Sequence, residues 1–183
     1  MGRNDPEKGM RRSDRDRLFA DAMAQCGRAL ARMARAYEAD ADLRRDLEQD
    51  IQIALWQSLP GFEGQCALPT WVWRVAHNRA ISHILRHLRH RRERWVNIEE
   101  LELESSLPDP SEAAENGQAM MLIRSIIDRL GPPDRQILLL YLEGVSAAET
   151  ADIVGISADL VAQKVHRFKN MLSHQFSGSG ESR

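Results

Sequence analysis

The sequence predicts an all-α protein made of two small helical domains joined by an acidic flexible linker, the C-terminal domain being a helix-turn-helix. Three observations carry this reading. Apolar residues recur at three- and four-residue spacing, and no segment alternates as a half-buried strand would. Pro and Gly at Pro60-Gly61, Gly131-Pro132, Gly144 and Gly155 cut the periodic stretches into helix-sized pieces. Residues 95–114 hold Pro108, Pro110, five Glu and one Asp without a sustained stripe, which reads as an extended tether between two domains. A chain of 183 residues suits one ordinary domain or two small ones.

The elements follow in order. Residues 1–13 are polar, with Gly2, Pro6 and Gly9, and read as a disordered tail. A first helix begins near Ser13 or Asp14, its stripe being Leu18, Ala22, Leu30, Met33 and Tyr37. A second runs from about Asp42 to Leu59 and is stopped by Pro60-Gly61, so the two form an antiparallel pair. After a loop over Gly61–Pro69, a long helix runs from Thr70, the expected N-cap, to about Glu93. These make a first domain over 14–94. Beyond the linker, helices are expected over about Glu115–Leu130, Pro133–Glu143, Ala147–Val154 and Ala158–Phe176, forming a second domain over 115–176. Residues 177–183 are a flexible tail.

Composition narrows the function. Hydrophobic residues at 43% and charged ones at 28% fit a soluble globular protein. Cys26 and Cys66 show no CxxC or CxxH spacing, so neither a zinc site nor a disulfide framework is expected, and a reducing cytoplasm fits best. No apolar run approaches the roughly 20 residues of a spanning helix, and Met1–Arg17 is too charged for a signal peptide. A net charge of −2 argues against a free-standing DNA binder, but the charges are segregated. Between Arg74 and Arg94 stand seven arginines and one acid, whereas 95–119 hold seven acids and no Lys or Arg.

In the segment from Ser146 to Ser157, Ala151 is small where two helices would cross, Gly155 sits where a turn wants positive φ, and Ser157 caps the next helix. Along that helix Val161, Val165, Phe168 and Leu172 must face the core. Asp159, Ala162, Gln163, His166, Arg167 and Asn170 are left outward as the groove face, with Lys164 and Lys169 on the flanks to hold phosphates. The plainer alternative is a helical hairpin with a solvated polar face.

Two faces of the first domain are unusual. On the second helix Leu43, Leu47, Ile51, Ala54 and Leu55 make the core stripe, while Asp46, Gln49, Asp50, Ile53 and Gln57 cluster opposite it with Trp56 at the margin. Apolar groups inside a polar rim suggest a protein-binding surface; packing against the first helix is the alternative. On the long helix Trp73, His77, Ala80, Ile81, Ile84 and Leu88 make the buried stripe. Trp71, Val75, Asn78, Arg79, Ser82, Arg86 and Arg89 line a basic, partly aromatic face suited to melted nucleic acid, arginines tracking phosphates and an aromatic stacking on a base. Its alternative is a solvated Arg-rich face with Trp71 tucked into the core. His83, His87 and His90 share one flank at a metal-compatible spacing, but no Cys or carboxylate completes a site, so no metal or other cofactor is expected.

Together these stretches resemble a bacterial RNA polymerase sigma factor of the extracytoplasmic-function type, which carries regions 2 and 4 only; the likeness covers most of residues 15–175. Asp46 to Trp56 is similar to region 2.2, which implies that Asp46, Gln49, Asp50, Ile53, Trp56 and Gln57 bind the clamp helices of the largest polymerase subunit. Thr70 to Ile81 is similar to the W-L-Y-R-I-A-x-N stretch of regions 2.3 and 2.4, which melts the −10 element. The resemblance therefore assigns −10 DNA to Trp71, Arg74, Asn78, Arg79, Ser82, Arg86 and Arg89. It also assigns capture of a flipped base to the preceding loop, with Phe62, Glu63 and Gln65.

Asp134 to Gly144 and the helix-turn-helix look like regions 4.1 and 4.2, implying −35 contacts from Ser157, Asp159, Ala162, Gln163, Lys164, His166, Arg167 and Lys169. Where the family carries T-V-K/R-S-R-L this chain has Leu160-Val-Ala-Gln-Lys-Val165, so the basic group usual at Ala162 is absent, and base reading is expected to shift to Gln163, His166 and Arg167. The resemblance further implies polymerase core (clamp helices and flap region), promoter DNA and an anti-sigma factor as partners. It places the acidic linker where it would mimic RNA phosphates in the polymerase RNA channel, or serve as a plain tether. A stand-alone helix-turn-helix regulator is the rival function. No Ser-His-Asp or Cys-His constellation, paired carboxylates or phosphate loop supports an enzyme.

Overall fold

The computed structural model describes residues 10–87, 95–101 and 115–177, and the chain divides into two compact units, Met1–Ile84 and Leu85–Arg183. Seven α-helices occur among the described residues, and the extended contacts there amount to one isolated bridge, Val96 with Leu130.

In the first unit α1 spans Arg12–Tyr37 and buries Ala22, Cys26, Leu30, Met33, Ala34 and Tyr37 along one face. Burial pushes the Cys26 thiol above its usual pKa, so this cysteine packs as a small hydrophobe. Helix α2, Ala41–Ser58, starts at Asp40, whose side chain accepts from the Asp42 and Leu43 N–H groups at 2.9 and 3.0 Å. Those two donors hold its carboxyl below the ordinary carboxylate range. Leu47, Ile51, Leu55 and Leu59 stack at four-residue spacing and are all buried, before Pro60 ends the run in a short 3-10 turn.

Helix α3, Leu68–His87, begins two residues before the expected N-cap. Pro69 fits the first turn because it has no N–H to satisfy, so the helix closes its first bond from Trp71 N–H to the Ala67 carbonyl at 3.2 Å, and Thr70 is buried inside the turn rather than capping it. The extension expected over 88–93 lies outside the described residues, as do the tail before residue 10 and the linker over 102–114.

The second unit contains α4 (Glu115–Arg129), α5 (Asp134–Leu142), α6 (Ala147–Val154) and α7 (Ala158–Ser177). A capping box starts α6: Glu149 N–H donates to Ser146 Oγ at 3.2 Å and Ser146 N–H donates to Glu149 Oε2 at 3.2 Å. Gly155 ends α6 at φ +81, the left-handed conformation expected of it, and the Leu160 N–H donates to Ser157 Oγ at 3.2 Å to start α7. A Cβ at Gly155 would meet nothing within 4 Å, so Gly155→Ala should cost only the backbone term, about 1–2 kcal/mol, read as a lower melting temperature of the full chain.

The region expected to be linker from residue 95 is corrected by the core. Ile98 and Leu101 are buried with Leu122, Ile126, Leu130, Leu138 and Phe168, and Val96 packs against the same cluster. Val96 N–H donates to the Arg129 carbonyl at 3.1 Å and Gly131 N–H to the Val96 carbonyl at 3.3 Å. Three apolar residues set among the acids are enough to draw residues 95–101 into the helical unit as a strap.

Candidate nucleic-acid and polymerase interfaces

On α2 the outward set is largely as expected: Asp46, Gln49 and Gln57 are exposed, Asp50 is half-buried, and Ile53 is 45% exposed although apolar. Trp56 is drawn the other way. Its indole N–H donates to Asp16 Oδ1 at 3.1 Å, and the Arg15 guanidinium lies 3.3 Å from its ring centroid, so it packs α2 against α1 by a cation–π contact. The face that α2 presents outward is therefore Asp46, Gln49, Asp50, Ile53 and Gln57.

On α3 Trp73, His77, Ala80 and Ile84 are buried as expected, Val72, Ala76 and His83 are buried beside them, and Ile81 is half-buried. Tyr37 Oη and His77 Nδ1 are 2.9 Å apart and buried, and Glu38 Oε2 meets His83 Nε2 at 3.2 Å. His83 is thus turned into the core toward α1, away from the flank it was expected to share with His87 and His90; His90 lies outside the described residues. Of the expected −10 face, Asn78, Ser82 and Arg86 are exposed, Trp71, Arg74, Val75 and Arg79 are half-buried, and Arg89 is outside the described residues.

Trp71 is not splayed outward: its indole N–H donates to Ser58 Oγ at 3.2 Å and its ring lies 5.7 Å from that of Phe62. That pair joins the loop to α3, with Glu63 and Gln65 exposed beside it and hydrogen-bonded to each other at 3.1 Å. An open groove between α2 and α3 is lined by Ala54, Gln57, Ser58, Val75, Asn78, Arg79 and Ser82.

On α7 Val161 and Phe168 are buried and Val165 and Leu172 half-buried, as the stripe requires, while Asp159, Ala162, Gln163, His166, Lys169 and Asn170 are exposed. His166 Nε2 and Asn170 Nδ2 are 3.0 Å apart, and the Lys169 ammonium lies 5.1 Å from the Tyr141 ring. Two expected DNA contacts are placed differently. Lys164 lies 2.8 Å from both Asp134 Oδ1 and Glu99 Oε1, with its side chain 11% exposed and that of Asp134 2%. Burial works against its ammonium, but the hydrogen bonds to Asp134 and Glu99 outweigh that and raise its pKa above the ordinary lysine value. Arg167 remains exposed yet donates to the Ile98 carbonyl at 2.7 Å and the Glu99 carbonyl at 2.5 Å. A helical wheel puts both side chains on the groove margin; the strap, whose packing is long-range, draws them to itself.

Two determinants escaped the sequence reading. Asp134 accepts from Ile98 N–H at 2.7 Å. Arg135 is buried, its guanidinium donating to the Ile127, Asp128 and Leu130 carbonyls at the C-terminal end of α4 and just beyond it. The available signal was an adjacent acid and base one residue before the apolar run Ile137–Leu140, where charges must be paired to be tolerated.

A three-helix unit with a mixed apolar and basic surface, followed by a helix-turn-helix with its own strap, is the architecture of a two-domain transcription initiation factor, and the comparisons bear this out. Residues 22–93 match Sigma-70 region 2 and residues 120–172 match Sigma-70 region 4. The chain is 31% identical over 160 residues to the RNA polymerase sigma factor NccH of Alcaligenes xylosoxydans, covering 85% of this chain and 84% of that one. It is 28% identical over 175 residues to the sigma factor CnrH of Cupriavidus metallidurans, covering 88% and 87%. The solved structure of CnrH in complex with the cytosolic domain of CnrY superposes with a TM-score of 0.61 at 22% identity over 90% of this chain and 91% of that one, a likeness of fold. The chain belongs to the RNA polymerase sigma factors of the extracytoplasmic-function type. A stand-alone regulator is not favoured, since region 2 accompanies the helix-turn-helix.

Proposed function

We propose that this sigma factor docks on the clamp helices of the largest RNA polymerase subunit through α2, holds melted −10 DNA on α3 and the loop before it, and reads the −35 element with α7. The observation that carries the reading is Ile53, an apolar side chain 45% exposed between Asp46, Gln49, Asp50 and Gln57, while Leu47, Ile51 and Leu55 of the same helix are fully buried. An isolated apolar group in a polar rim is what the centre of a protein interface requires. Asn78, Ser82 and Arg86 stand exposed for the non-template strand, with Arg74, Arg79 and the Phe62–Trp71 pair beside them. Gln163, His166 and Lys169 stand exposed on α7 for the major groove, with Ser157, Asp159 and Ala162 at its start.

In this reading the protein performs no bond chemistry and acts in the cytoplasm, its second unit also meeting the polymerase flap. An anti-sigma factor is its expected antagonist, supported by the solved complex of CnrH with CnrY. The acidic segment beyond the strap is assigned to the polymerase RNA channel, where carboxylates would stand in for RNA phosphates.

The test is core binding. Ile53→Glu and Asp50→Arg should each weaken binding to core polymerase on the order of tenfold or more while circular dichroism and the melting temperature stay near wild type. Wild-type core affinity in both folded variants would remove the clamp assignment. Asn78→Ala should then lose open-complex formation at an intact −10 element without losing core binding.

A further inference from the structure

The strap, residues 95–101, reaches the recognition helix at the two cations that a sequence reading would give to DNA. Three ties hold it: Asp134 accepts from Ile98 N–H at 2.7 Å, Arg167 donates to the Ile98 and Glu99 carbonyls, and Lys164 bridges Glu99 and Asp134 at 2.8 Å each. Beneath these contacts Ile98 and Leu101 are fixed in the core beside Phe168 of α7. The arrangement is built and not a chance surface pairing, because Asp134 is almost completely buried and its carboxylate serves the strap and Lys164 together.

We infer that Lys164 and Arg167 are positioning residues that clasp this strap to α7, and that Glu99 occupies Lys164 in the place of a DNA phosphate, leaving DNA contact to Gln163, His166 and Lys169. This rests on the reading of α7 as the groove helix. The consequence is electrostatic as well as steric. With one cation of α7 neutralised and Glu99 exposed beside it, weak binding of the free chain to duplex DNA has a reason located within the domain itself. The basic group missing at Ala162 then leaves Lys169 as the cation of α7 best exposed for phosphate.

The experiment measures how binding of the full-length chain to duplex DNA depends on salt, using an upstream element recovered from promoters transcribed by the reconstituted holoenzyme. Each phosphate contact contributes about 0.9 to the slope of log K against log salt. Lys169→Gln should make the slope shallower by about that amount, and Lys164→Gln should leave it unchanged. Because Lys164→Gln strands a buried carboxylate, the double variant Asp134→Asn with Lys164→Gln removes both charges and should likewise leave the slope unchanged in a folded chain. Glu99→Gln should strengthen binding several-fold at low salt, the strap staying anchored by Ile98 and Arg167. A slope made shallower by about 0.9 in Lys164→Gln or the double variant, while Gln163→Ala still weakens binding, overturns the inference alone. Unchanged binding in both Lys169→Gln and Gln163→Ala overturns the reading of α7 on which it rests.

Discussion

Asp134→Ala is expected to destabilise the C-terminal unit by about 3–5 kcal/mol, the range for removing one partner of a buried ion pair. The carboxylate is 2% exposed and meets two groups that have been taken out of water, the Lys164 ammonium and the Ile98 N–H. Alanine leaves the N–H without its acceptor and the ammonium with only the half-exposed Glu99 opposite it, so the loss exceeds that of a single hydrogen bond. The strap should be released first, since it has no regular hydrogen-bond ladder beyond the single bridge to Leu130. Hydrogen exchange followed by mass spectrometry on the full chain checks this: protection over 96–101 should vanish in Asp134→Ala while α1–α3 exchange as in the wild type. Asp134→Asn keeps an acceptor for Ile98 but no charge for Lys164, and should fall between the two. Wild-type protection of the strap in Asp134→Ala would mean that Ile98 and Leu101 hold it by apolar packing alone.

How much of this was legible beforehand depends on how local each determinant is. The helix-turn-helix could be read almost residue by residue because Gly155, Ser157 and the Val161–Phe168 stripe act within one or two turns of the chain, and α6 is found at the expected bounds. The outward face of α2 was legible for the same reason: period 3.6 separates Ile53 from Leu47, Ile51 and Leu55 without knowledge of any partner.

What failed was long-range. Val96, Ile98 and Leu101 sit in an acidic stretch that has no periodicity of its own, and their burial is decided by α4, α5 and α7. Lys164 and Arg167 look available on a helical wheel, but their partners arrive from the strap and from α5. Trp56 and Trp71 each have two readings in the sequence, an interface or unpaired base on one side and packing against a neighbouring element on the other, and each spends its indole N–H on such an element, Asp16 or Ser58. An amphipathic side chain at the margin of a stripe has two acceptable environments, and only the position of the adjacent element selects one. The histidines of α3 divide along the same line: His77 falls on the apolar stripe and is buried as its spacing requires, whereas His83 lies off that stripe and is turned inward by Glu38.

His77 yields the second large effect, a loss of N-terminal stability on acidification. Its imidazole is completely buried between α1 and α3, edge-on to Tyr37 and beside Trp73, and desolvation lowers its pKa from 6.5 to about 3. The fold accepts only the neutral ring, whose Nδ1 shares a hydrogen bond with the Tyr37 hydroxyl at 2.9 Å. The unfolded chain binds a proton near its ordinary value, so below about pH 6.5 the unfolded state gains a proton that the folded state refuses. The contribution is therefore fully present above that pH and is lost as pH falls toward 3, at about 1.4 kcal/mol per unit, or about 3 kcal/mol by pH 4. His77→Gln offers Tyr37 an amide that can donate or accept, without a titrating group. It should lower stability at neutral pH yet flatten its dependence between about pH 6.5 and 5.5, a window above the titration of ordinary carboxylates. Urea unfolding at stepped pH, followed by fluorescence in a Trp95→Phe background, checks this, because the other three tryptophans, Trp56, Trp71 and Trp73, lie in the N-terminal unit. An equal pH dependence in wild type and His77→Gln would show that the ring is protonated in place, with the helices opening to admit its charge.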